Sequence, residues 1–135
     1  MTKRPHILFV DDEPRVLGGL RRLLRTQRDR WEMVFVEGGV AALETLRAGH
    51  YDVVVSDYRM PEMDGAELLE RVRVDSPTTA GVILSGQTND DNLPQILTLA
   101  DEFIDKPSTP DEIVAVLERL LAAGRPGTGP TAPEA

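Results

Sequence analysis

Short apolar runs alternate with amphipathic segments along most of the chain. Five runs end abruptly at polar or turn residues, as buried parallel strands do: 6–10, 31–36, 52–56, 81–85 and 102–105. Apolar residues recur at helical spacing in four other stretches: 16–24, 40–46, 68–72 and 113–121. Pro94 restricts the segment before the fifth run to a long loop and a short helix over roughly 93–99. The pattern predicts an α/β fold whose parallel sheet carries helices on both faces.

Polar residues stand where the predicted strands end. Asp11 and Asp12 follow the first strand, Asp57 follows the third, Ser85 closes the fourth and Lys106 follows the fifth. Right-handed crossovers bring the carboxyl ends of parallel strands to one edge of a sheet, and open α/β sheets bind ligands at that edge. We therefore expect these five side chains to lie close together.

Composition and charge narrow the classes of function. We expect one domain over residues 1–123, followed by a Gly/Pro-rich, disordered tail over residues 124–135. The net charge of −8 disfavours nucleic-acid binding by this chain, and the absence of cysteine excludes a thiolate metal site. The apolar runs are too short for a signal peptide or a membrane span. We expect a cytoplasmic protein without a membrane partner.

The predicted cluster has the chemistry of a phosphoryl acceptor. Three crowded carboxylates repel one another unless a cation joins them, and a ligand set of oxygen atoms suits Mg²⁺. A carboxylate nucleophile beside a metal ion, a lysine and a hydroxyl can accept a phosphoryl group. The lysine neutralises charge that develops on the phosphoryl oxygens.

Four motifs carry a resemblance to a known family. They are "VDDEP" (10–14), "SDYRMPEMDG" (56–65), "LSG" (84–86) and "KP" (106–107). In this order and spacing the chain resembles the receiver domain of bacterial two-component response regulators, over about residues 6–122. The resemblance implies a doubly wound, flavodoxin-like (βα)5 fold with a five-stranded parallel sheet of strand order 2-1-3-4-5.

The resemblance also implies a role for each residue of the predicted cluster. Asp57 matches the phosphoacceptor, and Asp11 and Asp12 match the acidic pair that holds Mg²⁺ together with Asp57. The backbone carbonyl of Arg59 matches a further metal ligand. Lys106 matches the lysine that pairs with the phosphoryl group.

Further residues match the parts of receivers that respond to phosphorylation. Ser85 matches the switch hydroxyl, and Phe103 matches the aromatic residue that changes rotamer with it. The bond before Pro107 matches a cis peptide bond. Arg59 and Gln87, each two residues past a site residue, are predicted to tune the lifetime of the phosphorylated state.

Partners follow from the same resemblance. The phosphoryl group would come from a phosphohistidine on a sensor histidine kinase or a phosphotransfer protein. The signal would pass to a downstream protein or to an output domain. The segment "DYRMPEMDGAELL" resembles the corresponding segment of receivers that are attached to cyclic-dinucleotide phosphodiesterase modules or to kinase modules.

Other interpretations of the same residues compete with these. Asp57 alone would suit a turn at the end of a strand. Asp11 or Asp12 would suit helix capping before Pro14, a role that is compatible with metal binding. The alternative function is a small Mg²⁺-dependent phosphatase or hydrolase that uses Asp57 as a turnover nucleophile. Such aspartyl-phosphate enzymes have a second acid two residues on, where this chain has Arg59.

Charge is distributed unevenly along the sequence. Six arginines and one aspartate fall between Arg15 and Arg30, at positions that the pattern assigns to the exposed side of the first helix. Residues 86–105 contain five acids and no basic residue. Either both are solvated faces, or the first helix docks a kinase and the acidic face meets a basic or apolar partner.

Overall fold

The computed structural model of the chain describes residues 4–85, 94, 98–105 and 109–123. Five parallel strands form one sheet: β1 His6–Asp11, β2 Glu32–Glu37, β3 Val53–Asp57, β4 Ala80–Ser85 and β5 Glu102–Asp105. Their order across the sheet is β2-β1-β3-β4-β5. The predicted strands are confirmed to within about one residue at each end, and so is the predicted strand order.

Helices follow the first three strands and close the described chain. They are α1 Pro14–Leu23, α2 Gly39–Ala48, α3 Gly65–Asp75 and a C-terminal helix Pro110–Ala123, with a short 3-10 helix at Arg25–Gln27. In the predicted helix over 93–99, Pro94, Thr98 and Leu99 are helical, and the other residues lie outside the described part. The predicted tail over 124–135 lies outside it too.

Neighbouring residues of β1 pack on opposite faces of the sheet. Ile7 and Phe9 belong to the core beneath α1 and the C-terminal helix, whereas Leu8 and Val10 belong to the core beneath α2 and α3. All four side chains are at most 2% exposed. Because both faces of the sheet are covered, β1 is apolar at successive positions and does not alternate between apolar and polar residues.

One part of the charge pattern was placed wrongly. The sequence assigned all six arginines to the first helix, but α1 ends at Leu23, so Arg25, Arg28 and Arg30 lie beyond it. Leu24, the C-cap residue, is completely buried, and the 3-10 helix then turns the chain back toward β2. All six arginines are exposed, as the pattern predicted.

An arginine from α3 contacts the end of the helical segment at residues 98–99. Arg73 donates hydrogen bonds to the backbone carbonyl of Leu99 (3.0 Å from Nη2, 3.2 Å from Nε) and to that of Thr98 (3.3 Å). Helices commonly end with a glycine that allows their last carbonyls to be satisfied, and Leu99-Ala100 supplies none here. The guanidinium of Arg73 takes over that task from a neighbouring helix.

Replacing Arg73 with alanine is therefore expected to lower the free energy of unfolding by about 1–2 kcal/mol, because it removes a charged donor from two carbonyls. Urea denaturation measures the change. Arg71→Ala is the matched control: Arg71 is also on α3, and its partner within the described part of the chain is Glu67, at 3.6 Å on the exposed surface. Such a pair contributes at most about 0.5 kcal/mol. Equal losses in the two variants would contradict the capping role.

Candidate functional site

Three aspartates meet at the carboxyl edge of the sheet. Asp11 is the last residue of β1, Asp12 follows it, and Asp57 is the last residue of β3, which lies next to β1. The register pairs Val10 with Ser56, so Asp11 and Asp57 leave the sheet side by side. One carboxylate oxygen from each aspartate lies within 4.8 Å of the others. The prediction that these three residues meet is confirmed.

The cluster fits a hard cation. Asp11 is 4% exposed, and Asp12 and Asp57 are half-buried, so the three carboxylates repel one another more strongly than they would on an open surface. All donors are carboxylate oxygens, the ligand type that Mg²⁺ prefers. The alternative of helix capping is not what the geometry favours: the N-cap of α1 is Glu13, which makes no side-chain capping bond. The Asp11 carboxylate accepts a hydrogen bond from the Glu13 backbone N–H at 2.9 Å, which orients it.

Hydrogen bonds hold the backbone around Asp57. The buried Ser56 hydroxyl donates to the Asp57 carbonyl at 2.8 Å, and the Gly65 N–H donates to the Tyr58 carbonyl at 2.7 Å. The Asp64 side chain caps α3 by accepting a bond from the Glu67 N–H at 2.8 Å. The chain between β3 and α3 is thus tied at both ends. A fixed backbone keeps the Asp57 carboxylate at a constant position relative to Asp11 and Asp12.

Gly65 has a positional role that the sequence did not reveal. A Cβ atom at this residue would lie 2.6 Å from the Asp57 carbonyl oxygen and 2.8 Å from Ile83 Cδ1. The start of α3 therefore rests directly on the backbone of the candidate acceptor. The motif at residues 56–65 ends on Gly65, but the sequence assigned this glycine no role. Its place at a helix start, eight residues after a strand-end aspartate, was the available signal.

The other predicted site residues are placed less completely. Ser85 is the last residue of β4, at the same edge, and its Cα pairs with Asp105. Phe103 lies in β5 and packs against the core beneath α2 and α3. Arg59 is exposed two residues after Asp57, whereas Tyr58 is buried. Gln87, Lys106 and Pro107 lie outside the described residues, so their roles and the cis bond stay predictions.

A protein-family model described as "Response regulator receiver domain" matches residues 7–118. The chain belongs to this family. The match covers the acidic cluster and all five strands except His6, the first residue of β1, and it confirms the family to which the sequence motifs pointed. The receiver is the module of two-component response regulators that carries the phosphorylation switch.

Known receivers and regulators resemble the chain in sequence and in fold. The transcriptional regulatory protein CseB of Streptomyces avermitilis is 29% identical over 133 residues, which cover 96% of this chain and 54% of CseB. The signal receiver domain of an HD domain-containing protein from Pseudomonas fluorescens is 28% identical, with a TM-score of 0.82, covering 90% of this chain and 97% of that one. This receiver thus spans about half the length of CseB.

A third relative was solved with a metal ion and a beryllium fluoride group. It is the response regulator protein TrrA from Thermotoga maritima in complex with Mg²⁺ and BeF, 28% identical with a TM-score of 0.74. The match covers 86% of this receiver and 98% of TrrA.

Within the described ranges, no helix of the receiver has the length and apolar character needed to cross a bilayer.

Proposed function

We propose that the receiver accepts a phosphoryl group on Asp57. The observation that carries the proposal is the convergence of three carboxylates within 4.8 Å at the carboxyl edge of a receiver sheet. An oxygen of the Asp57 carboxylate forms a bond to phosphorus while the bond from phosphorus to a histidine nitrogen of the donor breaks. The hydrogen bond from Ser56 to the Asp57 carbonyl keeps the nucleophile in place during this exchange.

Asp11, Asp12, Asp57 and the backbone carbonyl of Arg59 are the residues that would hold Mg²⁺. The oxygen donor set supports this choice, as does the Mg²⁺ complex of TrrA. Bound Mg²⁺ supplies positive charge that offsets the negative charge on the phosphoryl oxygens. The Asp11 carboxylate, oriented by the Glu13 N–H, is prepared for this task before any ion arrives.

The switching part of the proposal concerns residues around the cluster. Ser85 would bond the phosphoryl oxygen, Lys106 would pair with it, and Phe103 would change rotamer in response. Arg59 and Gln87 would set how fast water attacks the phosphorylated Asp57. In this proposal the receiver catalyses its own phosphorylation and loses the group slowly, once per cycle, and does not turn over a small substrate.

Partners are proposed from the family and its members. The donor would be the phosphohistidine of a sensor kinase or of a phosphotransfer protein in the cytoplasm. The relatives include a transcriptional regulatory protein and an HD domain-containing protein, so the output would be a separate domain or a downstream protein. Residues 1–123 would form the receiver, and residues 124–135 a linker or tail.

The proposal predicts that Asp57→Asn abolishes phosphorylation. Wild-type protein incubated with acetyl phosphate and Mg²⁺ should gain one phosphoryl group, measured by intact-protein mass spectrometry, whereas Asp57→Asn should gain none. The amide oxygen is a far weaker nucleophile than the carboxylate, and the substitution keeps the shape of the side chain.

Glu62→Gln is the matched control for Asp57→Asn. Glu62 is an exposed carboxylate in the same connection between β3 and α3, outside the cluster, so this variant should be phosphorylated like the wild type. A phosphoryl group on Asp57→Asn protein would contradict the proposed acceptor. Many turnovers of acetyl phosphate per minute by the wild type would favour the phosphatase alternative.

A further inference from the structure

The amino-terminal edge of the sheet carries a second charged feature, of the opposite sign. Helix α1 begins after the end of β1 and runs back along the sheet, so Arg21 and Arg22 in its last turn lie near the strand starts. The register pairs Glu32 at the start of β2 with His6 at the start of β1. This edge is about 17 Å from the acidic cluster, the length of five residue steps along a strand.

A cavity of about 490 Å³ opens at this edge, between the end of α1 and β2. Five of its lining residues are arginines: Arg4, Arg21, Arg22, Arg25 and Arg28. Two lining residues are acids, Asp29 and Glu32, so three positive charges are in excess. This local excess of positive charge has the opposite sign to the net charge of the chain, which is −8. Met33 contributes to the apolar part of the lining.

The arginines of the cavity are not equally engaged within the protein. Arg4 forms an ion pair with Glu32 and donates a hydrogen bond to the Arg28 carbonyl at 2.8 Å. The guanidinium of Arg21 lies 4.8 Å from the centre of the Phe35 ring. Among the described residues, the guanidinium groups of Arg22, Arg25 and Arg28 have no carboxylate within ion-pair distance. Three exposed cations are therefore available to an anionic partner.

The aromatic side chains of the cavity do not offer a place for a nucleic-acid base. Phe35 has Arg21 over one face and stacks on Phe9 at 4.9 Å between ring centres. Trp31 is 3% exposed and has Arg30 beside its ring at 5.5 Å. A base needs an open aromatic face on which to stack. Carboxylates need only the guanidinium groups, which bind them through paired hydrogen bonds.

We propose that this cavity docks an acidic, extended segment of a partner protein. Arg25 follows Arg21 and Arg22 by four and three residues and precedes Arg28 by three, where the chain turns from α1 into the 3-10 helix. Alternate residues of an extended chain lie about 6.7 Å apart. Acids at every second position of such a chain project from one face, where they can meet the guanidinium groups of Arg22, Arg25 and Arg28, and the residues between them project away from the cavity. The partner would leave the acidic cluster at the opposite edge uncovered.

The test is the binding of a fluorescently labelled peptide, Glu-Val-Glu-Val-Glu-Val-Glu, measured by anisotropy at low salt. A peptide with glutamine in place of glutamate shows how far binding depends on negative charge. A single-stranded oligonucleotide tests whether the cavity prefers nucleic acid to an acidic peptide. The double variant Arg22→Ser/Arg25→Ser removes two unpaired guanidinium groups. The control Arg47→Ser/Arg71→Ser removes two exposed arginines from α2 and α3, which form ion pairs with the surface acids Asp75 and Glu67 at 3.9 and 3.6 Å.

We expect the wild type to bind the glutamate peptide in preference to the other two probes, with affinity that falls as salt rises. The dissociation constant should rise at least about tenfold in Arg22→Ser/Arg25→Ser, and less than about twofold in the control. Equal effects of the two double variants, equal binding of the glutamine peptide, or tighter binding of the oligonucleotide would overturn the proposal. Phosphorylation by acetyl phosphate should be unchanged in both variants, so the docking surface and the phosphoacceptor can fail separately.

Discussion

Gly65→Ala is expected to lower the free energy of unfolding by about 3 kcal/mol, as overpacking of a well-filled site does. The new methyl group would lie 2.6 Å from the Asp57 carbonyl oxygen, so either the start of α3 or the backbone of Asp57 must move. Movement of the Asp57 backbone displaces its carboxylate from Asp11 and Asp12, and movement of α3 strains the hydrogen bond from the Gly65 N–H to the Tyr58 carbonyl next to Asp57. We therefore expect a second effect, a large loss in the rate of phosphorylation by acetyl phosphate.

Gly49→Ala separates this effect from the general cost of replacing a glycine. Gly49 has an extended backbone, and a Cβ atom there meets nothing within 4 Å. The control should change the free energy of unfolding by less than about 0.5 kcal/mol in urea denaturation. A stable, fully active Gly65→Ala protein would mean that α3 can shift away from β3 at little cost, and that the contact does not position the acceptor.

Asp12→Asn is expected to remove the stabilisation of the folded receiver by Mg²⁺. For the wild type, Mg²⁺ at about 100 times its dissociation constant should add about 2.7 kcal/mol to the free energy of unfolding. The variant should gain little, because one of the three carboxylates that attract the ion is neutral. Without Mg²⁺ the order should reverse, with Asp12→Asn more stable by about 1 kcal/mol, since repulsion in the cluster is relieved.

Thermal or urea denaturation with and without Mg²⁺ measures both halves of this prediction. Glu13→Gln is the control, because Glu13 is an exposed neighbour of Asp12 that does not belong to the cluster. It should respond to Mg²⁺ like the wild type. If Asp12→Asn kept the full response to Mg²⁺, the cluster would not be the metal site.

The sequence predicted the sheet well because burial on both faces leaves a simple pattern. The runs at 6–10 and 81–85 are apolar at almost every position and stop at polar residues, so strands could be recognised and placed to within about one residue. The end of α1 was harder. Leu24 continues the apolar spacing of the helix, yet it is the C-cap residue. Its side chain is buried although it follows the end of the helix, so the apolar pattern does not mark where the helix stops.

The acidic cluster could be predicted because its geometry depends on topology alone. Parallel strands bring Asp11, Asp12 and Asp57 to one edge whatever the details of packing. Contacts that depend on side-chain reach could not be found in this way. Arg73 contacts carbonyls 26 and 25 residues away in sequence, at Leu99 and Thr98, and no local pattern marks such a bond.

The sheet divides the hydrophobic core into two compartments, one on each face, and β5 contributes one apolar side chain to each. Phe103, like Leu99 and Ala100, packs against the core on the α2–α3 side, whereas its neighbour Ile104 is buried on the side of α1 and the C-terminal helix. A rotation of the Phe103 ring would therefore change the packing on the α2–α3 side of the sheet and leave the packing on the other side unchanged. If the ring rotates on phosphorylation, as proposed, a partner that recognises the phosphorylated state would bind on the α2–α3 side, whereas the arginine cavity borders the other compartment.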